Sequence, residues 1–586
     1  MSVQGYSVAG RQISRRTRTG ATDYRLVAVG IALIVAWVAI GVRLFQVQVV
    51  RADELAAMGL DQRLTVKELA ADRGNIFDRE GRELAITVDA TTIYANPQQV
   101  TNPEVTSTLI AAALGLDADE LFEKLSSDRS FVFLARQVEW QQAEPVTQLT
   151  QPGIHWYAEP KRVYPAGSMA AQVVGFVNID NQGIEGLEYE YDEELSGYPG
   201  RLEAEQDPGG RLITFGEYDV VAAIPGSDLV TTIDREIQFV AEEVCEDTIA
   251  RTAAQRCSVV VLDPATGEVL AMVTLPGFDP GNRSGADPDR FRNWTALSVF
   301  EPGSTQKLVT VAAALEESAV SWTTTFEVPD QIEIVDGACP DNEEVYGCFS
   351  DIAPHEPRIM SVKDIVTRSS NVGTILIGRE LGEKNLARYL EAFNYGAPTG
   401  IDFPGEAAGQ INLANGCQSC PASAAIGYSV SVTELQMAAV YATIANDGVW
   451  VQPHLVKEIV DGTGVRSPID PKRREVVSAE TARVVRLLLQ SVVESDEGTG
   501  HGARVSGYSV GGKTGTTRRF VEGEGYSGDF VASFIGMAPI ENPEIVVAVV
   551  VDAPYSDNTG GRAAAPAFAE IVERTLHQMG VAPDAS

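Results

Sequence analysis

The residues with the clearest chemical potential are Ser304 and Lys307, in the stretch EPGSTQK at residues 301–307. The Pro-Gly pair predicts a turn and the apolar run at residues 308–315 predicts a buried helix, so Ser304 opens a helix and Lys307 follows one turn later on the same face. A serine hydroxyl is a good nucleophile only when a base takes its proton, and a lysine with a depressed pKa can be that base. N–H groups at the helix start could hold an oxyanion. Alone the pair is a weak signal, because an N-cap serine and a solvated lysine give the same pattern.

Two further motifs carry hydroxyl, amide and amine groups. Ser369-Ser370-Asn371 follows a helix-like segment, and Lys513-Thr514-Gly515-Thr516 follows a glycine-bearing strand. A lysine and two hydroxyls at a strand edge suit a carboxylate, and an extended peptide can add to such an edge by main-chain hydrogen bonds. Each motif also has a plain structural interpretation, as turn or capping chemistry for the first and as a polar edge strand for the second.

The order of the three motifs makes the prediction strong. Ser-x-x-Lys, then Ser-x-Asn, then Lys-Thr-Gly, widely spaced, is the set found in serine β-lactamases and penicillin-binding proteins. A second Ser-x-Asn match at residues 556–558 comes after Lys513, so the order excludes it. Together the motifs predict an acyl-transfer enzyme with Ser304 as its nucleophile.

The elements that must position these motifs predict an antiparallel sheet with helices packed on it, an α+β fold. The expected elements are a hairpin of residues 258–262 and 268–273, a helix at 234–249, a buried strand at 545–551 and a terminal helix at 566–579. The chain has 586 residues, which is enough for several domains. Its formal net charge of −36 argues against nucleic-acid binding.

The first residues break the acidic trend and predict a membrane anchor. Five arginines precede an uncharged run of 17 residues at 26–42, which is close to the short end of a membrane span; they are Arg11, Arg15, Arg16, Arg18 and Arg25. Arginines before a span predict that the N-terminus is cytoplasmic and the rest of the chain lies outside. The alternative is a cleaved secretory signal, although no convincing cleavage site or lipidation cysteine follows. We therefore predict a cytoplasmic tail at residues 1–25 and a single-pass anchor at 26–45.

All six cysteines follow the predicted span, which favours disulfides in an oxidising compartment. Six cysteines allow 15 pairings, and pairing of sequence neighbours is the first expectation: Cys245–Cys257, Cys339–Cys348 and Cys417–Cys420. The spacing of Cys417 and Cys420 is also that of a zinc knuckle or a redox pair. The first would need two more ligands, and the chain has five histidines.

Beyond the anchor the chain resembles class B penicillin-binding proteins along nearly its whole length. Three stretches look like motifs of that family's non-catalytic pedestal domain, at residues 73–85 (RGNIFDREGRELA), 162–165 (RVYP) and 183–188 (GIEGLE). Residues 232–234 resemble the entry to the transpeptidase domain, while 427–433 (GYSVSVT) and 532–536 (ASFIG) match its landmarks. The resemblance implies a pedestal domain at residues 46–225 and a transpeptidase domain at 226–586, the latter with helices on both faces of its sheet and an all-helical subdomain.

The resemblance also implies a chemistry, that of a peptidoglycan D,D-transpeptidase. Ser304 would attack the D-Ala-D-Ala carbonyl of a stem peptide, with Lys307 as base. Ser369 and Asn371 would relay the proton and orient the lysine and the substrate amide. An amine of a neighbouring stem would then take the acyl group, and β-lactams would acylate the same serine.

The third motif would bind the end of the substrate. Lys513 completes the catalytic set, and Thr514, Gly515 and Thr516 form the substrate-binding set, holding the terminal carboxylate. The backbone N–H groups of Ser304 and Thr516 would form the oxyanion hole. The family needs no metal and no cofactor for this reaction.

Within the class, the pedestal pattern and the GYSVSVT stretch look closer to the division-specific branch than to the elongation-specific branch. By resemblance, the partners would be a SEDS-family glycosyltransferase and divisome membrane proteins. The other hypotheses are an elongation-specific transpeptidase, a β-lactam sensor or hydrolase on the same fold, a mainly structural divisome component, and a carboxypeptidase that uses water as acceptor.

Overall fold

The structure is a computed structural model that describes residues 22–61, 64–205, 218–339, 347–413, 416–521, 523 and 525–585. The four arginines from Arg11 to Arg18, and most of the predicted cytoplasmic tail, lie outside the described residues. The described residues form two compact units, one within 1–70 and 199–223, the other within 71–198 and 224–586. The domain division at residue 225 stays a prediction.

The first unit contains the apolar helix that the sequence predicts. This helix spans Thr22–Phe45 and continues as a π-helical turn, Gln46–Val50. The segment Tyr24–Val50 reaches a mean hydropathy of 2.4 and is unburied, so it is long and apolar enough to cross a membrane. A helix at Ala52–Asp61 and an antiparallel sheet of Leu64–Leu69, Gly200–Glu205 and Tyr218–Val221 complete the unit.

In the second unit, residues 71–198 are a mixed α/β region. Its strands are Ile76–Phe77, Glu83–Ala95, Val132–Val138, Ile154–Val163, Phe176–Val177 and Gly183–Glu185. Its helices are Pro103–Leu114, Ala118–Leu125, Trp140–Thr147, Ala171–Val174, Gly186–Glu190 and Asp192–Ser196. The two-residue strand Ile76–Phe77 pairs in parallel with Asp228–Thr231, so one sheet links this region to the residues that follow.

A buried ion-pair cluster joins the three pedestal-like motifs of the sequence. Arg73 Nε lies 2.7 Å from Glu188 Oε2, and Arg162 Nε lies 2.6 Å from Glu188 Oε1. Arg73 also pairs with Asp192 at 2.6 Å. The side chain of Glu188 is fully buried and pairs with two arginines that are at most 3 % exposed, while Asp192 supplies the second negative charge. Each motif therefore contributes one charge to a single cluster, which we call the pedestal cluster.

The remaining residues of the second unit hold the main sheet and most of the helices. The strands are Asp228–Thr231, Arg256–Leu262, Val269–Leu275, Val299–Phe300, Thr325–Val328, Gln331–Glu333, Cys348–Ser350, Arg358–Ser361, Gln410–Ile411, Val430–Thr433, Val449–Val451, Val456–Val460, Arg466–Pro468, Arg473–Glu475, Gly511–Val521, Gly525–Ala538 and Ile545–Asp552. The helices are Arg235–Thr252, Trp294–Leu297, Lys307–Glu316, Val362–Arg368, Asn371–Leu381, Glu383–Ala392, Cys420–Ala425, Glu434–Ala445, Ala479–Glu494 and Gly560–Gln578.

The main sheet is five-stranded and antiparallel, as predicted. Its order is Val269–Leu275, Arg256–Leu262, Ile545–Asp552, Gly525–Ala538, Gly511–Val521, which places the Lys-Thr-Gly strand at an edge. Strand side chains alternate between the two faces, and both faces are covered: Val259 and Val261 pack in one hydrophobic cluster, Val260 and Leu262 in another. Double burial explains why the inner strands Arg256–Leu262 and Ile545–Asp552 are almost continuously apolar.

The last helix corrects a predicted boundary. The sequence predicts that this helix starts at Pro566, but the helix starts at Gly560 and contains Pro566. Proline lacks an N–H, so the carbonyl four residues earlier loses its helical partner. That carbonyl belongs to Arg562, and it accepts a hydrogen bond from Arg251 Nη1 at 3.1 Å. A side chain from a distant helix thus allows the helix to pass through the proline.

The cysteines pair as sequence neighbours, as expected. Disulfides link Cys245 to Cys257, Cys339 to Cys348, and Cys417 to Cys420. The Cys417–Cys420 bond excludes the zinc-knuckle alternative for that pair, because zinc binds thiolates.

Candidate active site

Ser304 lies in a short 3₁₀ turn, Gly303–Gln306, that leads directly into the helix Lys307–Glu316. The backbone N–H of Lys307 donates to the carbonyl of Ser304. Side chains three residues apart are eclipsed in a 3₁₀ helix, so Ser304 and Lys307 face the same side, as predicted. Every residue from Lys307 to Ala314 is buried, which fixes the lysine in the core of the helical subdomain.

Two glycines let this turn pack directly against the edge strand. Gly303 has φ +53°, and a Cβ there would lie 2.4 Å from Thr517 Cγ2. A Cβ on Gly515 would lie 2.3 Å from Ser533 Oγ and 3.1 Å from the carbonyl oxygen of Pro302. Both contacts are too short for a side chain, so the two glycines are needed to bring the serine turn and the Lys-Thr-Gly strand together.

Lys307 is 2 % exposed and is held by oxygens of the second motif. Its Nζ donates to the carbonyl of Ser369 at 2.7 Å and to Asn371 Oδ1 at 2.7 Å, and it lies 3.3 Å from Ser369 Oγ. Burial, aided by the charge of Lys513, holds the pKa of Lys307 well below its ordinary value, while Asp351 acts in the opposite direction. The structure therefore joins the first two predicted motifs around a lysine suited to act as a base.

A break between two helices positions the second motif. The helix Val362–Arg368 ends at Ser369, which has a left-handed backbone with φ +59°. The helix Asn371–Leu381 begins two residues later, and the Ser370 hydroxyl caps it by accepting from the N–H of Gly373 at 2.9 Å. Because the chain reverses at Ser369, a serine carbonyl and an asparagine side chain both reach the same lysine.

Asp351 is a functional candidate that the sequence analysis missed. It accepts from Ser370 Oγ at 2.8 Å and from the N–H of Val372 at 3.0 Å, and it lies 3.0 Å from His355 Nε2. The preceding residue, Ser350, accepts from Asn371 Nδ2 at 2.8 Å. These contacts fix the Ser-x-Asn turn from outside. No local signal identifies Asp351, because its partner in the turn, Ser370, lies 19 residues later in the chain.

The third motif lies on the edge strand Gly511–Val521 in register with Gly525–Ala538. Lys513 is 1 % exposed, with its Nζ 3.3 Å from the carbonyl of Thr514, and burial lowers its pKa to about 7. Thr514 and Thr516 are two residues apart and share a face of the strand. Thr514 Oγ1 lies 2.9 Å from Thr499 Oγ1, and Thr516 Oγ1 accepts from the N–H of Gly560 at 3.0 Å.

The excluded second Ser-x-Asn match occupies a different environment. Ser556 lies in the loop before the last helix, and its hydroxyl donates to the carbonyl of Arg251 at 3.3 Å. It thus takes no part in the hydrogen bonds that hold Lys307 among the described residues.

A serine one 3₁₀ turn before a buried lysine, beside a Ser-x-Asn turn and a Lys-Thr-Gly edge strand, defines an active-serine enzyme of the penicillin-recognising type. The comparisons with known proteins agree. Residues 257–573 match the penicillin-binding protein transpeptidase domain, and residues 68–231 match the penicillin-binding protein dimerisation domain. The chain belongs to the class B penicillin-binding proteins.

Similar proteins include stage V sporulation protein D of Bacillus subtilis, 33 % identical over 95 % of this chain and 86 % of that protein. The peptidoglycan D,D-transpeptidase FtsI of Escherichia coli is 31 % identical over 93 % of this chain and 90 % of that protein. Among solved structures, penicillin-binding protein 3 of Mycobacterium tuberculosis complexed with aztreonam has a TM-score of 0.69 and 30 % identity, covering 89 % of this chain and 99 % of that one.

Proposed function

We propose that the chain is a serine-type peptidoglycan D,D-transpeptidase that cross-links stem peptides through an acyl-enzyme on Ser304. The observation that carries this proposal is the buried amine of Lys307, held by Ser369 and Asn371 one turn from the serine. Its contacts are neutral oxygens, and none of the described carboxylates lies within 4.0 Å of it. A buried amine without a counter-ion gives up its proton readily, which is the property that a general base needs.

In the proposed acylation, Ser304 Oγ attacks the carbonyl carbon of the penultimate D-Ala, and its proton passes to Lys307 Nζ. The C–N bond to the terminal D-Ala then breaks, and the leaving amine receives a proton relayed through the Ser369 hydroxyl. The N–H groups of Ser304 and Thr516 stabilise the oxyanion. Asn371 orients the lysine and the substrate amide.

In the proposed second half-reaction, an amine of a neighbouring stem attacks the ester carbon. Its proton passes to Lys307, the ester C–O bond breaks, and the Ser304 hydroxyl is restored. Before acylation, Lys513, Thr514 and Thr516 receive the terminal carboxylate of the donor, which leaves with the expelled D-Ala, and Gly515 lets the peptide lie along the strand. β-Lactams acylate Ser304 by the same first step.

The first test is covalent labelling of the full-length protein with a fluorescent penicillin, followed by mass spectrometry of the labelled peptide. We expect one adduct, on Ser304, and its loss in Ser304→Ala. Ser556→Ala is the matched control, because it removes the serine of the excluded motif and should leave labelling intact. Absence of an adduct on Ser304 in the wild-type protein would refute the proposal.

The second test separates a transpeptidase from a β-lactam hydrolase or a carboxypeptidase. A synthetic donor ending in D-Ala-D-Ala is incubated with and without an amine acceptor. Formation of a new amide in the presence of the amine supports transpeptidation. Rapid release of penicilloic acid in a separate incubation with penicillin would favour a β-lactam hydrolase, and hydrolysis of the peptide that the amine does not divert would favour a carboxypeptidase.

We also propose that the protein acts at the division septum, outside the membrane, with its N-terminus in the cytoplasm. The GYSVSVT stretch at residues 427–433 supports the division-specific branch, and the arginines before the apolar helix support a cytoplasmic N-terminus. The proposed partners are a SEDS-family glycosyltransferase and other divisome membrane proteins. A fluorescent fusion is expected at midcell, whereas a lateral or polar signal would favour the elongation-specific branch.

A further inference from the structure

The loop that follows the strand Cys348–Ser350 places a histidine behind the Ser-x-Asn turn. His355 comes four residues after Asp351, and the two side chains are only 10 and 8 % exposed. The Nε2 atom of His355 lies 3.0 Å from Asp351 Oδ2. Because Asp351 supports the turn, His355 is one side chain further from the reacting groups and contacts a residue that holds them in place.

The contacts of His355 determine the form of its ring. Besides the contact with Asp351, its Nδ1 atom lies 2.9 Å from the backbone carbonyl oxygen of Glu356. A carbonyl oxygen and a carboxylate are both acceptors, so each ring nitrogen must act as a donor. An imidazole ring with both nitrogens protonated is the positively charged imidazolium. His355 and Asp351 therefore form an ion pair that is largely shielded from solvent.

Asp351 connects this ion pair to the catalytic groups. Its carboxylate accepts from the Ser370 hydroxyl at 2.8 Å and from the N–H of Val372 at 3.0 Å. The same turn supplies the two oxygens that accept from Lys307 Nζ, each at 2.7 Å. A chain of contacts thus runs from His355 through the carboxylate and the turn to the lysine.

The backbone around the ion pair is also restricted. Pro354 precedes His355 and Pro357 follows two residues after it, and a proline fixes its own φ and limits the conformation of the residue before it. The N–H of Asp351 donates to the carbonyl oxygen of Asp330 at 2.9 Å. Both partners are therefore held in place by their own backbone surroundings.

The negative charge of Asp351 opposes the function of the base. Burial and the charge of Lys513 lower the pKa of Lys307, whereas Asp351 raises it. A positive charge beside Asp351 offsets the field of its carboxylate at the lysine. Among the described residues, His355 is the only side chain able to carry a positive charge within 4.0 Å of Asp351. The ion pair thus lets a carboxylate support the turn without favouring the protonated lysine.

We propose that His355 is a positioning residue for the acylation of Ser304, whose imidazolium holds the Asp351 carboxylate against the Ser-x-Asn turn and offsets its charge. The inference rests on the proposed function, because it concerns the lysine that takes the proton of Ser304. His355 acts through Asp351 and not by contact with the substrate.

The test is the pH dependence of penicillin acylation in the full-length protein. In His355→Gln the side-chain amide can still donate to Asp351, but the positive charge is lost. We expect the acidic limb of the pH–rate profile to move to higher pH by about half a pH unit, because the carboxylate then acts on Lys307 without compensation. On that limb the acylation rate should fall about threefold.

Two further variants separate the charge of His355 from its shape. His355→Lys keeps a positive charge and should leave the acidic limb at its wild-type position. The double variant His355→Gln/Asp351→Asn lacks both charges, so its acidic limb should lie close to the wild-type position, whereas Asp351→Asn alone should move the limb to lower pH.

His155→Gln is the matched control. His155 is an exposed histidine on the strand Ile154–Val163, and no carboxylate lies within 4.0 Å of it among the described residues. Its replacement should change neither the acylation rate nor the pH–rate profile. Thermal denaturation verifies that each variant is folded, and His355→Asn replaces His355→Gln if that variant does not fold.

Two results would overturn the inference, namely an acidic limb that does not move in His355→Gln, or one that moves equally far in His355→Lys. Slower acylation with an unmoved limb would give His355 a purely structural role in the loop. In each case normal labelling of Ser304 by penicillin would leave the proposed function intact. Absence of that label in the wild-type protein would instead count against the proposed function itself.

Discussion

The pedestal cluster and the active site are both built from buried charged groups, but they treat those charges in opposite ways. In the pedestal cluster, the carboxylate of Glu188 pairs with Arg73 and Arg162 at 2.7 and 2.6 Å, and Asp192 adds a second negative charge beside Arg73. In the active site, Lys307 and Lys513 are just as buried, yet no ion pair is formed by either lysine among the described residues. Their contacts are carbonyl, amide and hydroxyl oxygens.

The difference explains what each region can do. A buried arginine paired with a carboxylate keeps its charge, so the pedestal cluster can join three distant chain segments but cannot exchange protons. A buried lysine without a carboxylate has a lowered pKa, so it gives up its proton more readily than an exposed lysine. Charge pairing therefore distinguishes a structural cluster from a reactive one in the same chain.

The largest effect is expected from removing the unpaired base. Lys307→Met should lower the rate constant of penicillin acylation by about 10²- to 10⁴-fold, because the Ser304 proton then has no acceptor. Stability should be unchanged or higher, because an apolar side chain replaces a buried amine. Stopped-flow acylation and thermal denaturation measure the two quantities. Lys472→Met, at an exposed lysine, is the control, and near-normal acylation of Lys307→Met would rule out its role as base.

The converse effect is expected in the pedestal cluster. Glu188→Gln should lower the free energy of unfolding by about 3–5 kcal/mol, because Arg73 and Arg162 lose the carboxylate that they share and only Arg73 keeps a second partner, Asp192, among the described residues. Denaturant titration measures the loss. Glu236→Gln removes an exposed partner of Arg82 at 3.2 Å and should change stability by less than about 1 kcal/mol. If Glu188→Gln were as stable as Glu236→Gln, the pedestal cluster would not stabilise the fold.

A smaller effect is expected from Asp351, the carboxylate that holds the Ser-x-Asn turn. Asp351→Asn should slow acylation about tenfold, since hydrogen bonds to a charged acceptor are replaced by weaker ones. It should also lower the pKa of Lys307 further, because Asp351 raises that pKa in the native protein. The acidic limb of the pH–rate profile should then move to lower pH. Asp336→Asn, on the same segment, should change neither the acylation rate nor the pH–rate profile. If the acidic limb did not move in Asp351→Asn, Asp351 would not raise the pKa of Lys307.

The smallest effect concerns the second unpaired lysine. Lys513 has a pKa of about 7, so it carries its proton below that pH and loses it above. Because a neutral amine binds a carboxylate weakly, kcat/KM for a D-Ala-D-Ala peptide should fall by about fourfold between pH 6 and 7.5. Lys513→Arg stays charged and should abolish the decline. A decline that persists in Lys513→Arg must come from another group.

Motif order in the sequence predicts that Ser304, Lys307, Ser369, Asn371 and Lys513 form one site, and their catalytic roles stay a prediction. Local patterns were also sufficient for the hairpin, the buried strand Ile545–Asp552 and the apolar helix near the N-terminus. These features depend on neighbouring residues, through turn chemistry and hydrophobic periodicity, so a single sequence records them. Neighbouring cysteines were likewise paired correctly.

Only the tertiary structure could decide how distant groups combine. Asp351 bonds Ser370, 19 residues later in the chain. Arg251 lets the last helix continue through Pro566, and Glu188 unites three motifs. The lowered pKa of Lys307 also depends on the tertiary structure, because it arises from burial and from the charge of Lys513 on another element. A sequence lists the chemical groups of a site, but their burial and pairing depend on contacts between residues that are far apart in the chain.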